Sequence, residues 1–345
     1  MNSRLLTDKI KAEAARLGFF ACGIAKAEPV DDKMSRQLRS WLANGHHAGM
    51  DYMANYTDMR LDPRRLMPGL KSIVSVALNY APAHCPDAEE YQLAAYALGK
   101  DYHDIVKAKL RQLAVAIGAV DCLYQPQAAD TSQADDDTLT CRIFVDSGPV
   151  LERYWAEKAG LGWIGRNHQL IIPFAGSMFF LGELFLSAEL EYDQPMGNRC
   201  GKCHKCIDAC PTGAIRLEST TFDSERCLSY QLIENRGNLS AEAQQAMGNT
   251  IYGCDRCQQA CPWNRFAKPN TTPELQPSEA LLNMRRSNWQ ELTEEQYRNL
   301  FKGSAVKRVK YAGLKRNIEA AIRHTAKAQQ PDRHETNATL PPDKD

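Results

Sequence analysis

The sequence predicts an α+β protein built in three parts, and three observations support this prediction. Strand-like apolar runs alternate with amphipathic helical patterns through residues 1–190. A block of cysteines follows in residues 191–270, and helical patterns fill residues 271–329. The last stretch, 330–345, is polar and rich in proline and charge, so we predict a disordered tail there. A length of 345 residues fits such a division, because ordinary domains hold roughly 100–200 residues.

The first part carries the signals of an α/β or α+β domain, and we predict an α/β domain over residues 1–190. Apolar residues recur at helical spacing over 5–17, and Gly18 is expected to end this helix. Further helical patterns cover 33–42, 101–120 and 149–159, the last with Pro149 at its first position. Apolar runs that indicate strands lie at 19–24, 72–79, 142–146, 169–173 and 177–186. We expect the last two runs to complete a sheet, and we expect an exposed loop at 125–138.

The cysteine block opens with a run that is typical of iron–sulfur proteins. Cys200, Cys203 and Cys206 are each separated by two residues, and Cys210-Pro211 follows. This is the bacterial ferredoxin spacing for a [4Fe–4S] cluster, in which each thiolate reaches a different iron. A second, altered run contains Cys254, Cys257 and Cys261-Pro262, with its leading cysteine displaced upstream to Cys227.

The eight cysteines divide into two sets if the ligation is crossed, as it is in two-cluster ferredoxins. The first set is Cys200, Cys203, Cys206 and Cys261, and the second is Cys210, Cys227, Cys254 and Cys257. Zinc and disulfides are the alternatives. Zinc sites rarely use three cysteines at this spacing before Cys-Pro, and disulfides suit small secreted domains. The spacing therefore predicts two cubane clusters in a ferredoxin-like domain.

Charge and hydropathy exclude some classes of protein. The 42 Lys and Arg balance the 42 Asp and Glu, so no global field favours nucleic acid. The N-terminal residues are polar and mixed in charge, which predicts no signal peptide, and no apolar run has the length of a membrane span. Together with a cysteine set suited to metal binding, these features predict a protein of the reducing cytoplasm.

The third part follows a proline-rich linker and is expected to be helical throughout 281–328. Eight Lys or Arg but only one acid, Glu319, lie between residues 302 and 327. Such a run is either a solvated helix face or a surface that tracks phosphates. The candidate phosphate contacts are Lys307, Arg308, Lys310, Lys315 and Arg316.

Three smaller motifs carry two interpretations each. Residues 160–165 contain G-x-G-x-x-G, but a helix precedes them, so a dinucleotide site is disfavoured. Residues 101–103 begin like the cobalamin motif D-x-H-x-x-G, yet Val106 replaces the glycine, and His103 more simply begins a helix. Asp146 follows a strand, where it could cap the next helix or donate a proton; composition alone favours the cap.

Several stretches together resemble the epoxyqueuosine reductase family, over about residues 1–325. The stretches are V-D-S-G-P (145–149), G-L-G-W-I-G-R-N (160–167), the cysteine run 200–215, C-L-S-Y-Q-L-I-E (227–234) and G-C-D-R-C-Q-Q-A-C-P-W-N (253–264). R-L-D-P (60–63) and D-Y-H (101–103) fit as well. The sequence departs from the common family pattern at Ser147, Arg166 and His168.

The resemblance implies a cobalamin-dependent iron–sulfur enzyme of the last step of queuosine biosynthesis, related to reductive dehalogenases. Its substrate would be epoxyqueuosine at the wobble position of tRNAs for Tyr, His, Asp and Asn. The clusters would reduce a base-off cobalamin to cob(I)alamin, and Asp146, with a raised pKa, would protonate the departing epoxide oxygen. The implied partners are tRNA and a flavodoxin- or ferredoxin-type electron donor, and the protein would be a monomer.

The resemblance also implies a set of cofactor contacts and a role for each part of the chain. Residues 1–190 would be the cobalamin-binding catalytic domain, and 271–329 would face the tRNA. The corrinoid contacts would be Arg60, Tyr102, Asp146, Ser229, Cys254 and Asp255. Three alternatives stand beside this function: a corrinoid reductase of a small halide or epoxide, a ferredoxin-type electron carrier, and a structural protein held by zinc.

Overall fold

A computed structural model describes residues 2–122, 138–217 and 222–328, with side chains to residue 324. The predicted tail at 330–345 and nearly all of the predicted loop at 125–138 lie outside these residues. The strands are β1 (Ala21–Lys26), β2 (Ser72–Asn79), β3 (Gln92–Leu93), β4 (Val120–Asp121), β5 (Thr140–Phe144), β6 (Trp163–Ile164), β7 (Leu170–Ile171), β8 (Phe179–Leu186) and β9 (Thr250–Tyr252).

Thirteen α-helices occur in the described residues. In the first half they are α1 (Ser3–Arg16), α2 (Asp32–Ala43), α3 (Thr57–Leu61), α4 (Tyr102–Ile117) and α5 (Glu152–Lys158). In the second half they are α6 (Lys205–Asp208), α7 (Leu228–Ile233), α8 (Ala241–Ala246), α9 (Arg256–Gln259), α10 (Glu279–Leu282), α11 (Arg286–Gln290), α12 (Glu294–Leu300) and α13 (Lys310–Ala328). No helix in the described part of the chain combines the length and apolar character needed to cross a bilayer.

The main sheet has five strands in the order β1–β2–β8–β5–β4. Its neighbouring strands are antiparallel except for β4 and β5, which are parallel. Both faces are covered, since α1 and α4 pack on one side and α5 packs on the other. Along β2, Val74 faces the α4 side while Ile73 and Ala77 face the α5 side. Burial on both faces explains why this strand is a continuous apolar run.

The structure differs from the predicted elements around Asp146. Strand β5 ends at Phe144, so Asp146 lies two residues beyond it with a left-handed φ of 47°. Helix α5 begins at Glu152 after an N-cap at Leu151, so Pro149 is not its first residue. The Ser-Gly-Pro turn occupies the residues between strand and helix, and the predictions of a helix from 149 and of Asp146 as its cap are both wrong.

The predicted strand at 169–173 does not join the main sheet. It contains β7, which pairs antiparallel with β6 to form a separate two-stranded hairpin. This hairpin requires close contact between backbones, because a Cβ on Gly162 would lie 2.1 Å from the carbonyl oxygen of Ile171. The glycines of 160–165 therefore serve packing, which agrees with the weak dinucleotide signal.

A second hydrophobic core joins the three predicted parts. Strand β9, within the cysteine segment, pairs in parallel with β3. The core contains Leu93 from the first part, Tyr252 from the second, and Trp289 and Leu314 from the third. The predicted boundaries at 190 and 270 therefore separate segments that pack against one another, and they remain predictions.

The third part is helical but interrupted, where the sequence predicted one helical stretch. Four helices, α10 to α13, are separated by short turns. Thr293 explains one interruption, because its side chain caps α12 in a reciprocal capping box with Gln296. Trp289, Tyr297 and Phe301 are buried as expected from their apolar character.

Candidate active site and cluster cysteines

The first predicted cysteine set lines a single cavity. Cys200, Cys203, Cys206 and Cys261 all border a space of about 290 Å³. The loop that carries three of them is held by Arg166, whose guanidinium donates to the carbonyl oxygens of Gly201 and Cys203 at 2.8 and 2.7 Å. The fourth thiol reaches the cavity because α9 packs against α6 and brings the end of the second run to the first.

The second predicted set lies around the start of α9. Burial raises the pKa of the Cys257 thiol above its usual range, and the charges of Cys254, Cys227 and Cys210 add to this effect. Burial also raises the pKa of Cys254 to about 11. Iron would have to displace protons from these thiols on binding. The two groups match the crossed sets, and the ligation itself remains a prediction.

The geometry of the thiols suits a cube better than a single ion. A zinc site needs four ligands converging at about 2.3 Å on one point. Among the described residues, no three His, Cys, Asp or Glu side chains converge in this way. Thiols spread around a cavity instead fit a cluster that offers each of them a separate iron. Of the remaining cysteines, Cys141 is buried and Cys85 is exposed.

Asp146 lies in a cluster of polar side chains at the end of β5. The Tyr102 hydroxyl donates a hydrogen bond to Oδ2 of Asp146 at 2.5 Å, and Nε2 of His103 lies 3.9 Å from the same oxygen. Nδ1 of His103 lies 2.6 Å from Oδ1 of Asp101, which also accepts from the His103 backbone N–H at the start of α4. His103 thus begins a helix, as the simpler interpretation proposed, and also lies between two carboxyl groups.

The Asp146 side chain is exposed rather than buried. It is 63% accessible, so the expectation of a carboxyl group enclosed by the protein is not met. The charge of Asp146 nevertheless raises the pKa of tyrosines around it. Burial raises the pKa of Tyr102 well above its usual range, and the charge of Asp146 raises it further. Burial also raises the pKa of Tyr96 and of Tyr52; next in size are the effects of Tyr252 on Tyr96 and of Glu234 on Tyr52, and Asp146 makes a smaller contribution to each.

A buried pair of carboxyl groups lies behind Asp146, and the sequence analysis missed it. Oε1 of Glu152 accepts a hydrogen bond from the backbone N–H of Asp146. Burial, followed by the charge of Asp146, raises the pKa of Glu152 to about 8. Burial and the charge of Glu152 raise the pKa of Glu183 well above its usual range. The available signal was Glu183 itself, a charged residue inside the apolar run F-F-L-G-E-L-F-L.

Glu183 lies in the middle of the sheet without a well-formed hydrogen bond. Neither of its side-chain oxygens has a hydrogen-bond partner in the described part of the chain. Ser75 is the residue directly opposite Glu183 on β2. Its buried hydroxyl group also has no hydrogen-bond partner among the described residues. Buried polar groups of this kind are normally satisfied by a shared proton or an ordered water molecule.

The other predicted cofactor contacts have different surroundings. Arg60 is buried in α3 and donates to the carbonyl oxygen of Tyr52 at 3.2 Å, while its Nε has no partner among the described residues. Ser229 lies half-buried in α7. Asp255 accepts from the Ala95 backbone N–H at 2.6 Å, which ties the cysteine segment to the first part.

The five candidate phosphate contacts divide into two groups. Lys307 and Lys310 are exposed. The other three have protein partners: Arg308 makes two 2.8 Å hydrogen bonds to Glu234, Lys315 donates to the Gln290 carbonyl oxygen, and Arg316 donates to the carbonyl oxygens of Gln231, Asn235 and Gly237. The Arg308 guanidinium also lies 5.5 Å from the centroid of the Tyr52 ring. Tyr52 is one of the tyrosines whose pKa the charge of Asp146 raises, so Arg308 lies near the Asp146 cluster.

Comparison with known proteins identifies the family. The chain is 42% identical over 313 residues to the epoxyqueuosine reductase of Cellulophaga algicola, which covers 91% of this chain and 97% of that protein. The chain belongs to the epoxyqueuosine reductase family. An epoxyqueuosine reductase from Escherichia coli is 38% identical over 92% of this chain and 80% of its own length. The protein is therefore an enzyme that reduces epoxyqueuosine, as the resemblance implied.

Family models and solved structures agree with this assignment. Residues 199–264 match the model of the 4Fe-4S double cluster binding domain, and 60–147 match that of epoxyqueuosine reductase QueG, DUF1730. A crystal structure of epoxyqueuosine reductase with an epoxyqueuosine-modified tRNA-Tyr stem loop is 27% identical, with a TM-score of 0.79 over 93% of this chain and 81% of that one.

A structure from Bacillus subtilis adds an observation on the relative's active site. It is 27% identical, with a TM-score of 0.79 over 93% of this chain and 82% of that one, and is described with its aspartate catalytic loop swung out of the active site. The α+β fold and the two-cluster domain of this reductase are thus confirmed. The alternatives of an electron carrier and of a zinc-held structural protein are wrong, because the family is enzymatic and its cysteine segment is a double-cluster domain.

Proposed function

We propose that this reductase acts on epoxyqueuosine carried by tRNA. The substrate is the wobble nucleoside of the tRNAs for Tyr, His, Asp and Asn, and the product is the cyclopentene diol, with the epoxide oxygen leaving as water. The relative bound to a modified tRNA-Tyr stem loop supports a tRNA substrate. An anticodon loop presents an unstacked base that a protein pocket can accept. The cytoplasmic location and the monomeric state remain predictions.

The residues around Asp146 are suited to hold a corrinoid. The buried Nε of Arg60, with no partner among the described residues, is a hydrogen-bond donor that amide oxygens of a corrin can satisfy. Tyr102 and Asp146 complete the contact from the first part, and Ser229, Cys254 and Asp255 contribute from the cysteine segment. When bound, cobalamin supplies a low-valent cobalt able to reduce the epoxide with electrons from the clusters.

Asp146 is the proton donor in this proposal. Its carboxyl group is exposed at the end of β5, within reach of a substrate that approaches from outside. The Tyr102 hydroxyl fixes Oδ2, so the other carboxyl oxygen is available to protonate the departing oxygen. His103, oriented by Asp101, lies 3.9 Å from Oδ2 of Asp146, and in this proposal it returns a proton to Asp146 through one bridging water molecule. This arrangement of Asp146, Tyr102 and His103 is the single observation that carries the mechanism.

Two measurements test the proposal with anaerobically purified protein. The wild-type enzyme should contain about eight iron atoms per chain and convert an epoxyqueuosine-bearing stem loop only when cobalamin is supplied. Asp146→Ala should keep the corrinoid absorbance and lose turnover. Full turnover without cobalamin would overturn the cofactor assignment. Near-normal turnover of Asp146→Ala would remove Asp146 as the proton donor, while the substrate assignment would stand.

A further inference from the structure

The cavity lined by the first cysteine set borders a basic and aromatic surface. We call this surface the cavity face and define it by Arg199, Arg265, Phe174, Trp263 and Phe266, all of which line the cavity. Both arginines are exposed. None of the described residues that line the cavity is Asp or Glu. The charge around the first cluster is therefore one-sided, which favours and accelerates the approach of an acidic partner.

The exposed charged residues of the two cysteine runs are mainly basic, with Asp208, which pairs with His204, as an exposed acid in the first run. Lys202 and Lys205 are exposed on the loop that carries the first three cysteines, and Lys268 is exposed just after the second run. Arg166, by contrast, donates both of its observed hydrogen bonds to the cysteine loop, so its role is structural. The charges available to a partner are thus distinct from the charge that holds the cluster loop.

The aromatic part of the cavity face is hard to explain by stability. Phe174 is 67% exposed and has a left-handed φ of 55°, a conformation that is unfavourable for a bulky residue. Its ring lies 5.7 Å from Trp263 and 5.5 Å from Phe266, measured between centroids. Three clustered aromatic rings beside exposed arginines are typical of a protein-binding surface.

We propose that the cavity face docks an acidic flavoprotein that reduces the first cluster. This inference rests on the proposed function, in which electrons enter the clusters from outside. A flavin whose ring edge is exposed can approach the aromatic side chains beside the thiols, and its planar ring can stack on them. In each transfer the reduced flavin loses one electron and the [4Fe–4S] cluster gains it, so no covalent bond forms or breaks.

The test measures electron entry directly, without tRNA or cobalamin. Reduced flavodoxin is mixed anaerobically with the cluster-containing full chain, and bleaching of the cluster absorbance is followed at low ionic strength. The double variant R199E/R265E should slow bleaching at least about tenfold, because it reverses the steering charge. Photoreduced 5-deazariboflavin, a small uncharged reductant that needs neither a docking surface nor steering charge, should bleach the variant and the wild type at equal rates.

Two further variants make the test specific. R4E/K9E changes the charge equally on α1, which contributes no residue to the cavity, and should leave bleaching by flavodoxin unchanged. Phe174→Ala removes the exposed ring without a change of charge, and we expect a slower reaction with flavodoxin only. If R199E/R265E does not fold, the rate of bleaching in Phe174→Ala still tests the aromatic part of the cavity face.

Several results would overturn the docking proposal. One is bleaching by flavodoxin at the wild-type rate in both R199E/R265E and Phe174→Ala. Another is an equal loss with the small uncharged reductant, which would place the effect on the cluster itself. A third is a fall in affinity for the tRNA stem loop, which would make this face a nucleic-acid surface. Since bleaching requires no nucleoside, a failure here is distinguishable from a failure of the proposed tRNA chemistry.

Discussion

The backbone N–H of Asp146 donates a hydrogen bond to the buried carboxyl group of Glu152. This hydrogen bond joins the backbone of Asp146, whose own side chain is exposed, to the Glu152 carboxyl group six residues later in the chain. Asp146 adopts a left-handed φ of 47°, which non-glycine residues rarely do without local support. Because Glu152 is the first residue of α5 and is half-buried, its hydrogen bond fixes the direction in which the Asp146 side chain leaves the backbone.

We predict that Glu152 acts on turnover through the position of Asp146. Glu152→Gln keeps an oxygen that can accept the Asp146 N–H, so the turnover number should stay within about threefold of the wild type. Glu152→Ala removes the acceptor, and the turnover number should fall about tenfold, since a hydrogen bond contributes about 0.5–1.5 kcal/mol and a tenfold change in rate corresponds to about 1.4 kcal/mol. The measurement is single-turnover conversion of the modified stem loop at saturating protein.

The Gln and Ala variants control for each other in that experiment. Affinity for the stem loop should be the same in both, because the Glu152 carboxyl group accepts the backbone N–H of Asp146 and is not proposed as a substrate contact. Equal turnover in the two variants would show that the hydrogen bond to Asp146 is irrelevant. A large loss in Glu152→Gln would assign Glu152 a role as a proton carrier rather than a positioning residue.

The Glu152 and Glu183 pair should make the stability of the fold depend on pH. The pKa of Glu152 rises from 4.5 to about 8 on folding, so the folded state keeps a proton that the unfolded chain releases. A carboxyl group with a raised folded-state pKa loses its stabilising effect as pH rises between those values. The free energy of unfolding should therefore decrease from about pH 5 to pH 8, by at most about 1.4 kcal/mol per pH unit for each proton.

Glu183→Gln provides the test of that linkage. An amide cannot titrate, so the decrease of the thermal unfolding midpoint with pH should be shallower in this variant than in the wild type. Glu242→Gln, at an exposed position in α8, is the matched control and should leave the pH dependence unchanged. The same slope in Glu183→Gln and wild type would contradict a proton held by the buried pair.

Local signals in the sequence were enough for some elements and for the cysteines. The run at 72–79 coincides with β2 because burial on both faces favours apolar side chains at most of its positions, with Ser72, Ser75 and Asn79 as the exceptions. The cysteine spacing was enough to predict the double-cluster domain, which the family model confirms, whereas the crossed ligation remains a prediction. By contrast, Glu152 and Glu183 meet only because α5 packs on β8, a tertiary contact that no local pattern encodes.

The basic residues illustrate the same limit. Arg316 has the composition of a phosphate contact, but its guanidinium donates to backbone carbonyl groups about 80 residues earlier in the chain. Charge alone does not distinguish an arginine that holds a fold together from one that is available to a ligand. Lys307 and Lys310 are the better candidates for binding phosphate, because they are exposed whereas Arg308, Lys315 and Arg316 have partners within the protein.

Crossed ligation of the two clusters is testable by pairs of serine substitutions. If Cys203 and Cys261 bind the same cluster, C203S/C261S should keep about four of eight iron atoms, because only one cluster is lost. C203S/C210S should lose nearly all iron, since it damages both clusters. Sequential ligation, in which Cys210 completes the first run, predicts the reverse result for the two double variants. Iron analysis and the visible spectrum of anaerobic protein decide between them.

The surface of the third part should bind tRNA through Lys307 and Lys310. Their exposed ammonium groups can neutralise phosphates, whereas Arg316 has its partners within the protein. The double variant K307A/K310A should weaken binding of the stem loop and lower the slope of log affinity against log salt by about 1.5. Arg316→Ala should instead lower the unfolding midpoint, because three backbone carbonyl groups lose a charged donor.

The matched control for this surface is K33A/R36A, which removes two exposed charges from α2. It should leave both the affinity and the salt slope of the wild type. If K307A/K310A behaves like this control, the phosphates are bound elsewhere, and Arg308 becomes the next candidate because it lies over Tyr52 near Asp146. If both pairs weaken binding equally, the attraction is a property of the net charge and not of a defined surface.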